Sequence, residues 1–392
     1  MKVLQVHTQY REQGGEDSVV RAEGELLAAA GHDVVLHVAR NPPGAVGAGA
    51  SLAMSAWNPL AARELRRVAE RVRPDIAHVH NTWYALSPSV LTALTAAAVP
   101  VVMTLHNYRL VCANANLFRD GHVCEDCVGS HPWHGVRHRC YRGSLVASVP
   151  AAGTIALHRT LGTWNRHVRL FLALSEFART RFIRGGLPAH KIHVKPNFVS
   201  DPGPRADSPS RSRTILYVGR LETEKGVDTL LDAWKAWGSS RFELVLIGDG
   251  KPEPALRQRV PPGVRLTGSL SREAVLAWML RSRALVFPSV LYEGQSIAVL
   301  EALGCGLPVL ASRLGGNAEL LREDWLVTTG DRAAWTEALR RLEDGDRVDR
   351  AGADARRLYQ RRFGEQTARR MLEEAYRMAL SGSPYLGRRG ER

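Results

Sequence analysis

Twice along the chain, short runs rich in β-branched and aliphatic residues alternate with longer segments of helical periodicity, and few folds accept that pattern. In the first half, residues 2–8, 33–39, 75–79 and 101–105 read as strands and 18–30 and 86–98 as helices, with Gly31 at a turn. Strands separated by helices cannot pair as hairpins. They pair in parallel through crossovers. The alternation breaks at DPGPRADSPS, 201–210, a Pro/Gly/Ser-rich stretch that reads as a linker. It then restarts, with strands at 214–218, 242–247, 265–267, 284–287 and 308–311 and helices at 227–237, 272–280 and 295–303, before a last pair of helices. A chain of 392 residues is too long for one ordinary core. The expected fold is therefore α/β, with two doubly wound Rossmann-like domains facing a cleft. The expected boundaries are 1–200, a linker at 201–212, 213–364, a helix at 365–380 packing back on the first domain, and a disordered tail at 381–392. Ligands of such sheets bind beyond the carboxyl ends of the strands, which places the expected site in the cleft.

Composition narrows the class. At 45% hydrophobic and 23% charged residues this is a globular chain. It contains no run of about 18 apolar residues that would span a bilayer. The N-terminus runs directly into a strand pattern without an apolar leader, so a cytoplasmic protein with reduced cysteines is expected. The net charge of +14 comes almost wholly from arginine. Between Val128 and Ser175 there is no acidic residue, while Arg137, Arg139, Arg142, Arg159, Arg166 and Arg169 fall there. Such a field attracts anionic lipid, phosphorylated acceptors or nucleic acid. The segment lacks regular aromatic interleaving and any nucleic-acid module, so nucleic acid is not the expected partner. The largely apolar stretch 145–161 among these arginines reads either as an interfacial helix on an anionic membrane or as a core helix with solvated arginines.

Two motifs carry chemistry. The first is YEGQSIAVLE, 292–301, in which a glycine-containing loop follows an apolar strand and opens a helix. Backbone N–H groups of Gly294, Gln295 and Ser296 at a helix N-terminus form an anion site. Glu293 precedes the helix and Glu301 lies two turns inside it, so one carboxylate suits a sugar ring and the other a ribose. The plainer reading leaves Glu293 as a helix-start charge and Glu301 on the surface. The second motif is YVGRLETEKG, 217–226: Gly219-Arg220 ends a strand, and Lys225 stands at the next helix start. Two cations there suit the charge that grows on a departing diphosphate.

In this order the motifs resemble those of the family 4 retaining glycosyltransferases, the large family that includes sucrose synthases and many bacterial polysaccharide enzymes. Members carry a Gly-Arg-x-x-x-x-Lys-Gly motif and a downstream Glu-x7-Glu motif, and the resemblance runs from Met1 to about Leu380. It implies the GT-B architecture, with acceptor-side residues in 1–200 and a nucleotide-sugar-binding domain in 213–364. It implies that Arg220 and Lys225 bind the donor diphosphate, Glu301 the ribose and Glu293 the transferred sugar. Gly219, Gly294, Gln295 and Ser296 line the donor. Gly14 and Gly15 fit the loop after the first strand that closes over the donor phosphate. His106 matches a histidine that contacts the donor sugar, although many relatives have Asp where this chain has Asn107. The implied reaction moves a hexose with retention, the acceptor attacking from the leaving-group face, and needs no cofactor. A saccharide or lipid-linked saccharide acceptor follows, with the enzyme peripheral at the inner face of the membrane.

Four cysteines, Cys112, Cys124, Cys127 and Cys140, fall in an insertion at about 107–145, with His122, His131, His134 and His138 interleaved. A Cys-x-x-Cys between two outer cysteines in a reducing compartment points to tetrahedral zinc before an iron–sulfur cluster, unless the four thiols are unrelated. Such a zinc is structural. Cys305 reads as a small buried residue. The rival readings are a nucleotide-sugar epimerase or phosphorylase on the same fold, and a non-catalytic nucleic-acid-binding protein.

Overall fold

The computed structural model describes residues 1–9, 14–42, 49, 52–250 and 260–381. They form two compact units, one of Met1–Leu117, Cys124–Pro196 and Arg369 onward, the other of Phe118–Val123 and Asn197–Ala368.

The first unit holds a six-stranded sheet. Its strands are β1 (Lys2–Gln9), β2 (Asp33–Arg40), β3 (Ile76–Asn81), β4 (Val101–Leu105), β7 (Leu170–Ala173) and β8 (Ile192–Val194), ordered β2-β1-β3-β4-β7-β8 and all parallel. β3 and β4 are buried along their whole length, as strands covered on both faces must be. One face is closed by the last helix, Glu365–Ser381, whose Leu372, Ala375, Tyr376 and Ala379 pack with Val3, Ile76, Val102 and Leu172. Between β4 and β7 lie the short antiparallel pair β5 (Phe118–Arg119) and β6 (His122–Val123) and the helices His134–Arg137, Leu145–Thr160 and Thr163–His167.

The second unit holds β9 (Thr214–Val218), β10 (Glu243–Ile247), β11 (Val264–Gly268), β12 (Ala284–Phe287), β13 (Val309–Ser312) and β14 (Leu326–Val327), ordered β11-β10-β9-β12-β13-β14 and parallel throughout. Alternate residues divide its core. Ile215, Tyr217, Leu244 and Leu246 pack beneath the helices Val227–Trp237 and Arg332–Arg340, while Leu216, Val245, Ile247 and Leu285 pack on the other face with Ile297–Gly304 and Gly345–Arg362. Numbered within the unit, the strand order is 3-2-1-4-5-6, the dinucleotide-binding order, with its reversal between β9 and β12.

The stretch 201–212, which reads as a linker, is instead fastened to the second unit. The Arg205 guanidinium donates to the carbonyls of Ser282 at 2.7 Å and Met279 at 3.4 Å, and Asp349 accepts from the backbone and hydroxyl of Ser210. Its proline- and serine-rich composition signals only the lack of a ladder, not freedom from packing. The unit boundary falls earlier, at Pro196 and Asn197. Of the expected tail, Ser381 ends the last helix and 382–392 lie outside the described residues. No helix among the described residues is long and apolar enough to cross a membrane.

Candidate functional site

In the second unit, the two strands that flank the reversal of strand order are the ones whose carboxyl ends lead into the two motifs. β9 runs out into Gly219 and Arg220, and β12 into Pro288, Ser289 and Glu293. The loops touch because of Gly226. Its φ is +74°, and a Cβ there would collide with the Pro288 carbonyl, so only glycine lets them close. The Val290 N–H donates to the Glu224 carbonyl at 3.0 Å across the same seam. Lys225, in the single turn Thr223–Lys225, thereby places Nζ 2.7 Å from Glu293 Oε1, which also accepts from Ser289 Oγ at 2.9 Å. Residues 68 positions apart thus meet in a partly buried ion pair.

Arg220 is held as well. Its guanidinium lies 2.6 Å from Glu222 Oε2 and 3.7 Å from Glu224 Oε1, and its carbonyl accepts from the buried Tyr217 hydroxyl at 2.6 Å. Burial and the nearby Glu293 push the Tyr217 phenol up, so it stays a donor. Glu301 is buried inside the helix Ile297–Gly304, not on the surface, and its Oε1 accepts from Arg272 Nε at 2.8 Å. Burial raises its carboxyl, opposed by Arg272. Arg272, 29 residues from Glu301, carries no local signal in the sequence, whereas Glu222 and Glu224, two and four residues from Arg220 within the motif, were legible as its partners and were missed.

The helix opens at Ile297, later than the sequence suggests, and Gly294, Gln295 and Ser296 lead into it. The Gln295 side-chain oxygen is taken up within the unit, accepting from the Asn197 N–H at 2.6 Å, so what Gln295 can offer a ligand is an N–H donor from its amide or backbone. The Ser296 N–H lies 3.5 Å from Asn317 Oδ1, and the Gly316 N–H donates to the Glu293 carbonyl at 2.8 Å. The loop after β13 thus braces the Glu293 loop from below.

In the first unit, Gly15 is the first residue of the helix Gly15–Ala29 rather than a loop residue, and Gly14 caps it. Gly14 has ordinary extended φ and ψ, and a Cβ there would meet no atom, so nothing within the unit demands glycine. The preceding residues 10–13 lie outside the described ones. His106 follows β4 and shares a shallow pocket with His80, Asn107 and Arg109. Asn107, where the family resemblance leads one to expect Asp, donates through Nδ2 to Glu16 Oε2 at 3.4 Å. Burial and the adjacent Asp17 push the Glu16 carboxyl up to about 8. An aspartate at 107 would set a second carboxylate against it, so the amide fits this neighbourhood.

None of the four cysteines is in a disulfide, and they gather around buried Cys127, whose thiol is pushed up to about 12 by burial and by Cys112, Cys140 and Cys124 nearby. No three of their sulfurs stand at ligand spacing. Among the described residues, the group of three or more ligating side chains within 4.8 Å of one another is Glu23, His78 and His80. Cys305 is buried beside the Glu301 helix.

The profile for "Glycosyltransferase Family 4" matches residues 13–201 and that for "Glycosyl transferases group 1" matches 212–344. The chain belongs to the family 4 glycosyltransferases. Among family members, the amylovoran biosynthesis glycosyltransferase AmsK of Erwinia amylovora is 28% identical over 52% of this chain and 55% of its own length. The phosphatidyl-myo-inositol mannosyltransferase of Mycobacterium leprae is 29% identical over 56% of this chain and 64% of its own. These matches therefore span under two thirds of each relative. The fold is likened over more of the chain. Anabaena HepE, solved in complex with UDP, superposes with a TM-score of 0.69 at 19% identity, over 95% of this chain and 99% of that one. A sucrose-phosphate synthase from Thermosynechococcus elongatus gives 0.72 at 18% identity, over 97% and 100%. The two parallel-sheet α/β units are those of GT-B glycosyltransferases.

Proposed function

We propose that this family 4 member is a retaining hexosyltransferase that takes its sugar from a nucleoside-diphosphate donor and passes it to a saccharide or lipid-linked saccharide. The observation that carries the reading is the Lys225–Glu293 pair at the reversal of strand order, with Arg220 on the same strand end. A diphosphate suits Arg220 and Lys225, displacing the carboxylates that now hold them. Charge developing on the leaving phosphate is then met by fixed cations and a helix N-terminus, with no metal called on. Glu301 offers a buried acceptor to ribose hydroxyls. The acceptor oxygen bonds to the anomeric carbon from the face the diphosphate leaves, which gives retention, and the departing phosphate takes the acceptor's proton, so no separate base is needed. The Mycobacterium leprae relative, named as a mannosyltransferase, supports a hexose donor.

A thermal-shift screen of UDP, GDP, ADP and their sugars tests the reading. One base is expected to raise the melting temperature, since a ligand at a hundredfold its Kd stabilises by about 2.7 kcal/mol. No shift with any of them overturns it. Turnover of the sugar nucleotide without an acceptor sugar, to an epimer, would favour the epimerase reading instead.

The acceptor side is proposed to meet an anionic membrane at the inner face of the cell envelope. On the helix Leu145–Thr160, Ala151, Ala152 and Ile155 pack inward, while Leu145, Val146 (79% exposed), Val149 and Leu157 face outward with Trp133. Arg137, Arg139, Arg142, Arg166 and Arg169 are exposed, whereas Arg159 is partly buried and donates to the Ser130 carbonyl. One face of this helix is thus core, and the other presents the exposed apolar side chains that the membrane proposal calls for. Flotation with anionic liposomes at low salt, lost at high salt and absent from neutral liposomes, is the expected result. Failure to float at low salt overturns the membrane proposal alone.

For Cys112, Cys124, Cys127 and Cys140 we propose one structural zinc. Their donor chemistry and their gathering around Cys127 support it, although the sulfurs must draw closer by side-chain rotation. Elemental analysis of protein purified without chelator is expected to give about one zinc per chain. A metal-free preparation that is folded and active removes the proposal.

A further inference from the structure

Beneath the His106 pocket lies a group of ionisable side chains to which the transfer reading gives no work. Glu23 occupies the buried face of the helix Gly15–Ala29, between Val19, Val20 and Leu27. His78 and His80 project from one face of β3, and Lys195 stands just past β8. Glu23 and His78 are 0% exposed and Lys195 is 1% exposed. Lys195 Nζ pairs with Glu23 Oε1. The other carboxylate oxygen, Oε2, is buried with no hydrogen-bond partner, 3.7 Å from His78 Nδ1 and 3.8 Å from His80 Nε2. His78 is already spent, with Nδ1 2.8 Å from the Tyr376 hydroxyl and Nε2 2.7 Å from Thr104 Oγ1. His80 Nε2 is buried and unpartnered, while its Nδ1 lies 3.0 Å from His106 Nε2, the two rings within 23° of parallel. A metal ion fits poorly here, because the Lys195 ammonium sits on the same carboxylate and both His78 nitrogens are engaged.

We propose that Glu23 and His80 are positioning residues that hold His106 in one tautomer, with its proton on Nε2 and the bare Nδ1 turned toward the pocket. Burial drives the proton off these rings. His78 is pushed down to about 4, and His80 and His106 lie well below the ordinary histidine range, with the Lys195 charge and the neighbouring imidazoles adding to the effect. The groups that face His80 are Glu23 from the helix, His7 from β1, His78 on its own strand, His106 and Lys195. A neutral imidazole has one N–H and one lone pair. Glu23, paired with Lys195, can only accept, and its Oε2 at 3.8 Å favours the His80 proton on Nε2, which makes Nδ1 the lone pair. The 3.0 Å contact then requires His106 to donate through Nε2, which leaves Nδ1 as an acceptor. The inference rests on reading His106 as a sugar contact, and it sharpens that reading. The side chain takes a hydrogen bond from a sugar hydroxyl and offers nothing to a phosphate or carboxylate.

Ring-15N-histidine labelling of the full chain, read by long-range proton–nitrogen correlation without donor or acceptor, tests the tautomer. His80→Gln and His106→Gln spectra assign the signals. The expected result near pH 7 is His106 protonated at Nε2 alone. Protonation at Nδ1, or at both nitrogens, overturns the proposal. In Glu23→Gln/Lys195→Met, which removes both buried charges together, the His80 and His106 signals should move toward mixed tautomers. An unchanged spectrum in that variant removes Glu23 from the relay. Once the donor is known, the same variant should lose roughly 10- to 100-fold in kcat while binding the free nucleoside diphosphate as before; unchanged kcat counts against it. The spectra need no turnover, so their failure leaves the transferase reading standing, and an inactive chain leaves the tautomer result standing.

Discussion

Lys225→Ala and Glu301→Ala are each expected to slow sugar transfer roughly a hundredfold or more, the loss seen when one preorganised charge contact to a developing charge is removed. The two should fail differently. In the proposed site Lys225 meets the diphosphate, so its loss should fall mainly on kcat. Glu301 is proposed to hold the ribose, so its loss should also raise the KM for the donor. Neither change should unfold the chain. Lys225 leaves behind a Glu293 that still accepts from Ser289, and Glu301 leaves behind an Arg272 that is half exposed and can be hydrated. Folding should therefore stay within about 1–2 kcal/mol of the parent. Steady-state kinetics with the donor found by thermal shift, together with a melting curve for each variant, is the measurement. Near-parental turnover in both would remove the site from these loops, whatever the fold.

The largest effect on stability is expected at Lys195. Lys195→Met strands the Glu23 carboxylate in a fully buried position, and breaking a buried pair on one side costs about 3–5 kcal/mol. Glu23→Gln alone strands the ammonium and should be comparably harmful. Changing both to Glu23→Gln/Lys195→Met takes away both charges and should recover most of the loss, because exchanging a whole buried pair for neutral groups is often close to neutral. Urea titration with probes in each unit would show the transition of the first unit move and that of the second stay. Losses that simply add in the double variant would mean that the two side chains do not act as a pair.

Much of the fold was legible from hydrophobic pattern alone. Strands such as β4, β9 and β12 are buried on both faces, so they read as uninterrupted apolar runs and fall where the pattern places them. The motif residues were legible for a related reason: Arg220, Lys225 and Glu293 stand at strand ends, where local sequence dictates local geometry. Distant partners were not. Arg272 meets Glu301 across 29 residues, and Lys195 meets Glu23 across 172, separations that no periodicity encodes. One signal was overlooked. His78 and His80 alternate along an otherwise apolar strand, and Glu23 interrupts the inner face of its helix. Polar residues at core positions call for partners. The stretch 201–212 misled in the opposite direction, since composition shows where a ladder ends but not whether the chain is held by side chains beyond it.

The last helix gives the order of synthesis a part in folding. Every strand of the first sheet has been synthesised once Val194 is made, yet the residues that cover one of its faces, Leu372, Ala375, Tyr376 and Ala379, follow only after the whole second unit. Until then Val3, Ile76, Val102 and Leu172 lack that cover, and His78 lacks the Tyr376 hydroxyl. The second unit, whose core is contributed within Asn197–Ala368 apart from one short hairpin, can close without waiting for its neighbour. Vectorial synthesis ordinarily favours the N-terminal domain. Here the domain begun first is the one completed last, and one apolar face of its sheet stays uncovered while residues 195–371 are made.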